Sequence, residues 1–106
     1  MSDNLRILVV DDHQLVIQGI VSSLKEVGDF DVVTTDTCDK AFELVKNNAT
    51  KNPFQIIFTD LSFDNIVTDA FLDGGEALIN ELKKHNFNLK IGVITGHTET
   101  NRVYNV

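Results

Sequence analysis

Three dense apolar runs, each ending on an acidic or hydroxyl residue and separated by stretches of helical period, constrain this chain more than any other feature. Leu5-Arg6-Ile7-Leu8-Val9-Val10 runs into Asp11-Asp12. Phe54-Gln55-Ile56-Ile57-Phe58-Thr59, opened by Pro53, runs into Asp60, and Leu89-Lys90-Ile91-Gly92-Val93-Ile94 ends at Thr95. Runs this short and this continuously apolar suit strands buried on both faces, the habit of parallel sheets. A further segment, Phe30-Asp31-Val32-Val33-Thr34-Thr35, is rich in strand formers.

The intervening segments have a different period. Ile17, Ile20, Val21, Leu24 and Val27 recur at helical spacing between His13 and the stop signal Gly28, and Ala41, Phe42, Leu44 and Val45 mark a short helix before the polar stretch Asn47 to Asn52. Asp73-Gly74-Gly75-Glu76 has the form of a capping-box entry into a helix carrying Leu78, Ile79 and Leu82. Residues 61 to 73 keep no steady period, which predicts a long loop, and Thr98 onward reads as the start of a fourth helix. Strands alternating with helices imply right-handed crossovers and a parallel α/β sheet with helices on both faces.

Composition closes other routes. With 106 residues, 42% of them hydrophobic, the chain suits one core and one domain spanning 1–106. A net charge of -7 and a pI near 4.7 argue against direct nucleic-acid binding, which needs a basic face. Cys38 stands alone, so no internal disulfide forms, and the N-terminus has no secretory pattern. No apolar run approaches the roughly 18 residues of a membrane span, so the expected compartment is the cytoplasm.

In an open parallel sheet, ligands bind outside the carboxyl ends of the strands. Asp11 and Asp12 after the first strand, Asp60 after the third and Thr95 after the fourth therefore share one rim. Carboxylates packed together repel one another unless a cation compensates, and hard oxygen ligands with open positions suit Mg²⁺. One carboxylate could then be a nucleophile forming an aspartyl phosphate, with the Thr95 hydroxyl donating to a phosphoryl oxygen.

Leu8-Val9-Val10-Asp11-Asp12-His13, Ile56-Ile57-Phe58-Thr59-Asp60-Leu61 and Gly92-Val93-Ile94-Thr95-Gly96-His97 together resemble three leading motifs of the bacterial response-regulator receiver domain. The resemblance spans essentially the whole chain. It implies a flavodoxin-like doubly wound sheet of order 2-1-3-4. It makes Asp60 the phospho-acceptor, Asp12 a direct Mg²⁺ ligand, Asp11 a ligand acting mainly through water, and Ser62 a ligand through its backbone carbonyl. Thr95 matches the switch hydroxyl and Gly96 the small residue beside it. His97 either tunes hydrolysis of the phosphoryl group or is a surface-loop histidine. The opening Asp-Asp-His and the following helix look most like receivers of the NarL type, which implies a sensor histidine kinase or phosphotransfer protein as donor and transcription regulation as output. Such a protein is not an enzyme beyond slow self-dephosphorylation.

Three departures from the family pattern stand out. The chain is expected to end before any fifth strand and its last helix, so the family's lysine and switch aromatic have no counterpart; Lys90 belongs to the opposite sheet edge, and Tyr104 is expected in the truncated fourth helix. Gly74 stands 14 positions after Asp60, farther than the family's α3 glycine, and the loop between them has no proline. Without a fifth strand the fourth would be a bare edge, inviting a homodimer or domain swap.

Other uses of these residues carry their own expectations. Asp11 and Asp12 could instead cap the first helix from a solvated loop, with Asp12 able to do both jobs, and Asp60 could simply end a strand. His13 and His85 read as helix-surface residues. Asp64, Asp69 and Asp73 do not fit a calcium-loop pattern. The rival functions are a receiver that signals through its surface without phosphorylation, and an aspartate-nucleophile phosphatase, whose Asp-x-Asp-x-Thr motif is absent from Asp60-Leu61-Ser62-Phe63-Asp64.

Overall fold

The structure, a computed structural model, describes residues 5–61, 72, 74–85, 87–95 and 102–105. Its elements run β1 (Arg6–Val10), α1 (Gln14–Val27), β2 (Asp31–Thr35), α2 (Cys38–Asn48), β3 (Ile56–Asp60), α3 (Gly75–Lys84), β4 (Lys90–Thr95) and β5 (Arg102–Asn105). The sheet order is β2-β1-β3-β4-β5, and the first four strands are parallel, as the alternation of strand and helix requires.

Each strand divides its side chains between two cores, because successive residues point to opposite faces. Leu8, Val10, Ile57, Ile91 and Val93 meet Ala41, Phe42 and Val45 of α2 and Leu78, Ile79 and Leu82 of α3. Ile7, Val9 and Ile94 lie on the other face with Ile17 of α1. The α1 stripe is only partly sunk: Ile17 is buried, whereas Ile20, Val21 and Leu24 are half-buried against the same cluster. Val27, counted with that stripe from its spacing, is 79% exposed.

Local signals set the boundaries. The Thr37 side chain accepts from the Lys40 backbone N–H at 3.2 Å and caps α2, which extends well beyond the four apolar residues that announce it. The backbone N–H of Gly28 donates to the Leu24 carbonyl and closes α1. Gly74, not Asp73, is the N-cap of α3, so the four-residue entry begins one position later than a capping box there would place it.

The last strand corrects the sequence reading. A fifth strand follows β4 where none is expected, so β4 is not a bare edge. Arg102–Asn105 pairs with it antiparallel, Thr95 opposite Arg102 and Gly92 opposite Asn105. The fourth helix expected from Thr98 is therefore replaced by strand at 102–105, and Tyr104 lies in β5. The reason is tertiary: an unpaired strand edge offers a row of backbone donors and acceptors, and Arg-Val-Tyr-Asn has the β-branched and aromatic residues to fill it. The β4 edge on which the expectation of self-association partly rests is therefore covered by β5. No helix among the described residues is long and apolar enough to cross a membrane.

Leu72 is buried in the α2–α3 core. Its backbone N–H donates to Asp39 Oδ1 at 2.7 Å across 33 positions of sequence. Asp39→Ala should cost roughly 1.5–3 kcal/mol, the range for a hydrogen bond to a charged group, and should speed exchange of the Leu72 amide. An unchanged urea midpoint would count against this tether.

Candidate functional site: an acidic cluster at the sheet rim

The register of the sheet assembles the site. Val10 pairs with Thr59, so Asp11 and Asp60 stand at the same level, one step beyond that pair. Asp60 pairs with Ile94, which sets the backbone of Thr95 one step farther along the neighbouring strand. Ligand atoms of Asp11, Asp12, His13 and Asp60 all lie within 4.8 Å of one another. Three carboxylates expected at one rim are thus brought together there.

They are also buried. Asp11 is fully enclosed, Asp60 is 1% exposed and the Asp12 side chain 2%. This excludes the solvated capping loop as their setting, and Asp60, the last residue of β3, ends its strand in a buried position. The N-cap of α1 is His13 rather than Asp12. Asp11 Oδ1 accepts from the His13 backbone N–H at 2.9 Å and lies 2.8 Å from His13 Nδ1, while Asp12 Oδ1 lies 3.0 Å from the same nitrogen. His13, expected on the helix surface, is therefore part of the cluster. The signal was its place two residues after Asp11, the spacing at which an Asp side chain folds back on the backbone.

Asp11 Oδ2 is the informative atom. It is buried with no hydrogen-bond partner among the described residues. A buried carboxylate oxygen left in that state is costly, and the cost multiplies when like charges share the site. A cation offsets both effects. Hard oxygens converging in this way are consistent with Mg²⁺, which binds through one or two carboxylates and keeps positions for water and phosphate oxygens.

A glycine fixes the backbone beneath Asp60. A Cβ on Gly75 would fall 1.7 Å from the Asp60 carbonyl oxygen and 2.8 Å from Leu61 Cα. The first turn of α3 therefore rests directly on the end of β3, with the Gly75 N–H donating to the Leu61 carbonyl at 3.3 Å. Sequence reasoning singled out Gly74, whose Cβ would meet nothing closer than 3.6 Å. The Thr59 hydroxyl donates to the Asp60 carbonyl at 3.0 Å and holds the same peptide from the other side.

Other expectations resolve less fully. Lys90 pairs with Ile56 at the opposite sheet edge, as expected. Thr95 ends β4, and its side chain, with Ser62, Asp64, Asp69, Asp73, Gly96 and His97, lies outside the described residues. His85 is the C-cap of α3, near Phe42 and Phe87 and 3.1 Å from Glu81 Oε1, far from the cluster in sequence and at the other end of its helix.

With buried carboxylates at the carboxyl ends of β1 and β3 of a 2-1-3-4 parallel sheet, the decisive comparison is with sequence families. The response regulator receiver domain matches residues 7–106. The chain belongs to that family. Over 105 residues it is 34% identical to the response regulator protein VraR of Staphylococcus saprophyticus, covering 94% of this chain and 43% of that protein. The receiver thus spans less than half the length of that curated relative. Among solved structures, the MaeR response regulator bound to beryllium trifluoride superposes with a TM-score of 0.71 at 20% identity, over 90% of this chain and 70% of that one. The receiver domain of the histidine kinase CKI1 from Arabidopsis thaliana, complexed with Mg²⁺, gives 0.64 at 26% identity, over 91% and 70%. An acidic cluster of this kind is typical of the phospho-accepting site of receiver domains.

Proposed function

We propose that this receiver takes a phosphoryl group on Asp60 from the phosphohistidine of a sensor histidine kinase or phosphotransfer protein. A carboxylate oxygen of Asp60 attacks phosphorus, the new O–P bond forms as the P–N bond breaks, and the imidazole leaves with the electron pair and takes a proton from solvent. Water later cleaves the acyl phosphate and restores the carboxylate, the only intrinsic turnover. The observation that carries this is the convergence of Asp11, Asp12 and Asp60 at one rim, with a buried Asp11 oxygen that has no hydrogen-bond partner among the described residues.

Asp11, Asp12, Asp60 and the Ser62 carbonyl would hold Mg²⁺. When bound, it supplies the positive charge that lets carboxylate and phosphoryl oxygens approach. The chain's own residues do the rest. His13 orients Asp11, Gly75 and Thr59 fix the Asp60 peptide, and the family resemblance gives Thr95 and Gly96 the phosphoryl oxygens, with His97 either tuning hydrolysis or serving as a surface-loop histidine. Residues 1–106 act as one receiver unit in the cytoplasm, of the NarL type given the Asp-Asp-His opening and the likeness to VraR, with transcription regulation as output.

The test is phosphoryl incorporation by intact mass after incubation with acetyl phosphate, with and without Mg²⁺, beside Asp60→Asn. A Mg²⁺-dependent adduct in the parent that is missing from the variant is expected. No adduct overturns the assignment and favours a receiver that signals without phosphorylation, and an adduct that persists in Asp60→Asn overturns it by placing the phosphoryl group on another residue.

A further inference from the structure

The outer edge of β2 carries a groove of about 730 Å³ whose lining shares no residue with the acidic cluster. It runs between α1, which contributes Gln14 and Ile17, and α2, which contributes Glu43 and Leu44, with Val33 to Asp36 as its floor. Three features say what could occupy it.

The first is the backbone. β2 is the outermost strand on its side of the sheet. The Asp31 N–H donates to the Leu5 carbonyl at 2.9 Å and the Asp11 N–H donates to the Thr35 carbonyl at 3.2 Å. Asp31, Val33 and Thr35 therefore turn their backbone groups toward β1, and the alternation of a parallel ladder leaves those of Val32 and Thr34 on the open edge. The second is the lack of protection. Edges are ordinarily blunted by a bulge, a proline or a lysine, but β2 keeps continuous register with β1 over its whole length and has neither proline nor lysine. The third is charge. Asp36, Asp39 and Glu43 line the groove against one cation, Lys40, whose Nζ already lies 3.4 Å from Asp36 Oδ1.

We propose that this edge docks an extended segment of a basic partner protein, which adds beside β2 as a further strand and sets lysine or arginine side chains against Asp36 and Glu43. Main-chain bonds to Val32 and Thr34 supply the affinity, and the acidic flank selects the sequence. A second copy of this chain fits the edge poorly. It carries a net charge of -7, and two β2 strands paired antiparallel through Val32 and Thr34 set Asp31 opposite Thr35 with Asp36 in the next position at both ends, so that acidic residues crowd each end.

The test uses the full chain and a short peptide of alternating lysine and valine, with a glutamate–valine peptide as its counterpart. Amide hydrogen exchange is followed by NMR at Val32, Val33 and Thr34. The lysine peptide should slow Val32 and Thr34 at saturation and leave Val33, which faces β1, unchanged, whereas the glutamate peptide should do neither. Reversing Asp36 and Glu43 to lysine, both exposed positions, should weaken the lysine peptide about tenfold while the thermal transition stays cooperative. Binding without protection of Val32 and Thr34 would mean a cation site and no added strand. That result, equal binding of both peptides, protection that survives the charge reversal, or no binding would each overturn the proposal.

Discussion

Gly75→Ala is expected to be the most damaging conservative change in this receiver, lowering stability by about 2 kcal/mol or more and crippling phosphoryl transfer together. The new Cβ would fall 1.7 Å from the Asp60 carbonyl oxygen and 2.7 Å from its carbonyl carbon. Both are backbone atoms at the end of a central strand, so no flexible side chain can swing aside. Either α3 lifts, loosening Leu78, Ile79 and Leu82 from the core, or the Asp60 peptide turns and takes its carboxylate out of the cluster. Overpacking of this kind costs about 1–3 kcal/mol, occasionally more, and the gain in helix propensity from glycine to alanine, at most about 1 kcal/mol, is small at a first-turn position. At about 4–8 °C per kcal/mol for a domain near this size, the midpoint should fall on the order of 10 °C. Gly74→Ala is the control. Its Cβ would meet the Leu61 carbonyl at an ordinary 3.6 Å, and only the modest loss of a glycine N-cap is expected. Equal midpoints for the two variants would refute the close approach as the reason for Gly75.

This pair of glycines also marks how far the sequence could be read. Strands β1, β3 and β4 were legible to within two residues because dense β-branched runs bounded by Pro53, Asp11 and Asp60 leave no competing period. The rim of carboxylates followed from topology alone, since parallel strands must end at one edge. What escaped depended on contacts between distant segments. Nothing local distinguishes Gly75 from Gly74; the difference is the Asp60 peptide lying against one of them. The strand at Arg102–Asn105 was misread as helix because its pairing partner, the free edge of β4, is not visible in the four residues themselves. The place of His13 in the cluster was missed for a milder reason, as a histidine at a helix start is ordinarily solvated. The tether from Asp39 to Leu72 could not be inferred at all, because no periodicity links residues 33 positions apart.

Mg²⁺ is expected to stabilise the parent receiver strongly and Asp11→Asn hardly at all. The folded site holds three carboxylates in mutual reach, and most of their surface is withdrawn from water. One oxygen of Asp11 is occupied by His13, and the other is buried without a hydrogen-bond partner among the described residues. The unfolded chain has no such concentration of charge, so a divalent cation binds the native state and not the denatured one. Linkage then sets the size of the effect: at a hundredfold excess over Kd the gain is about 2.7 kcal/mol, or on the order of 10–20 °C in Tm. Asparagine at position 11 keeps an oxygen for the His13 N–H but presents an amide where the orphaned carboxylate oxygen was. The affinity should fall, and the Mg²⁺-induced rise in Tm should shrink to under about a third. KCl at matched ionic strength separates binding from screening, because general screening acts on any cluster of like charges whatever the valence of the ion. A Tm that climbs equally with KCl, or equally in the variant, would mean that the carboxylates are tolerated by relaxation of the rim and not by a resident cation, and the phosphoryl-transfer assignment would lose its electrostatic basis.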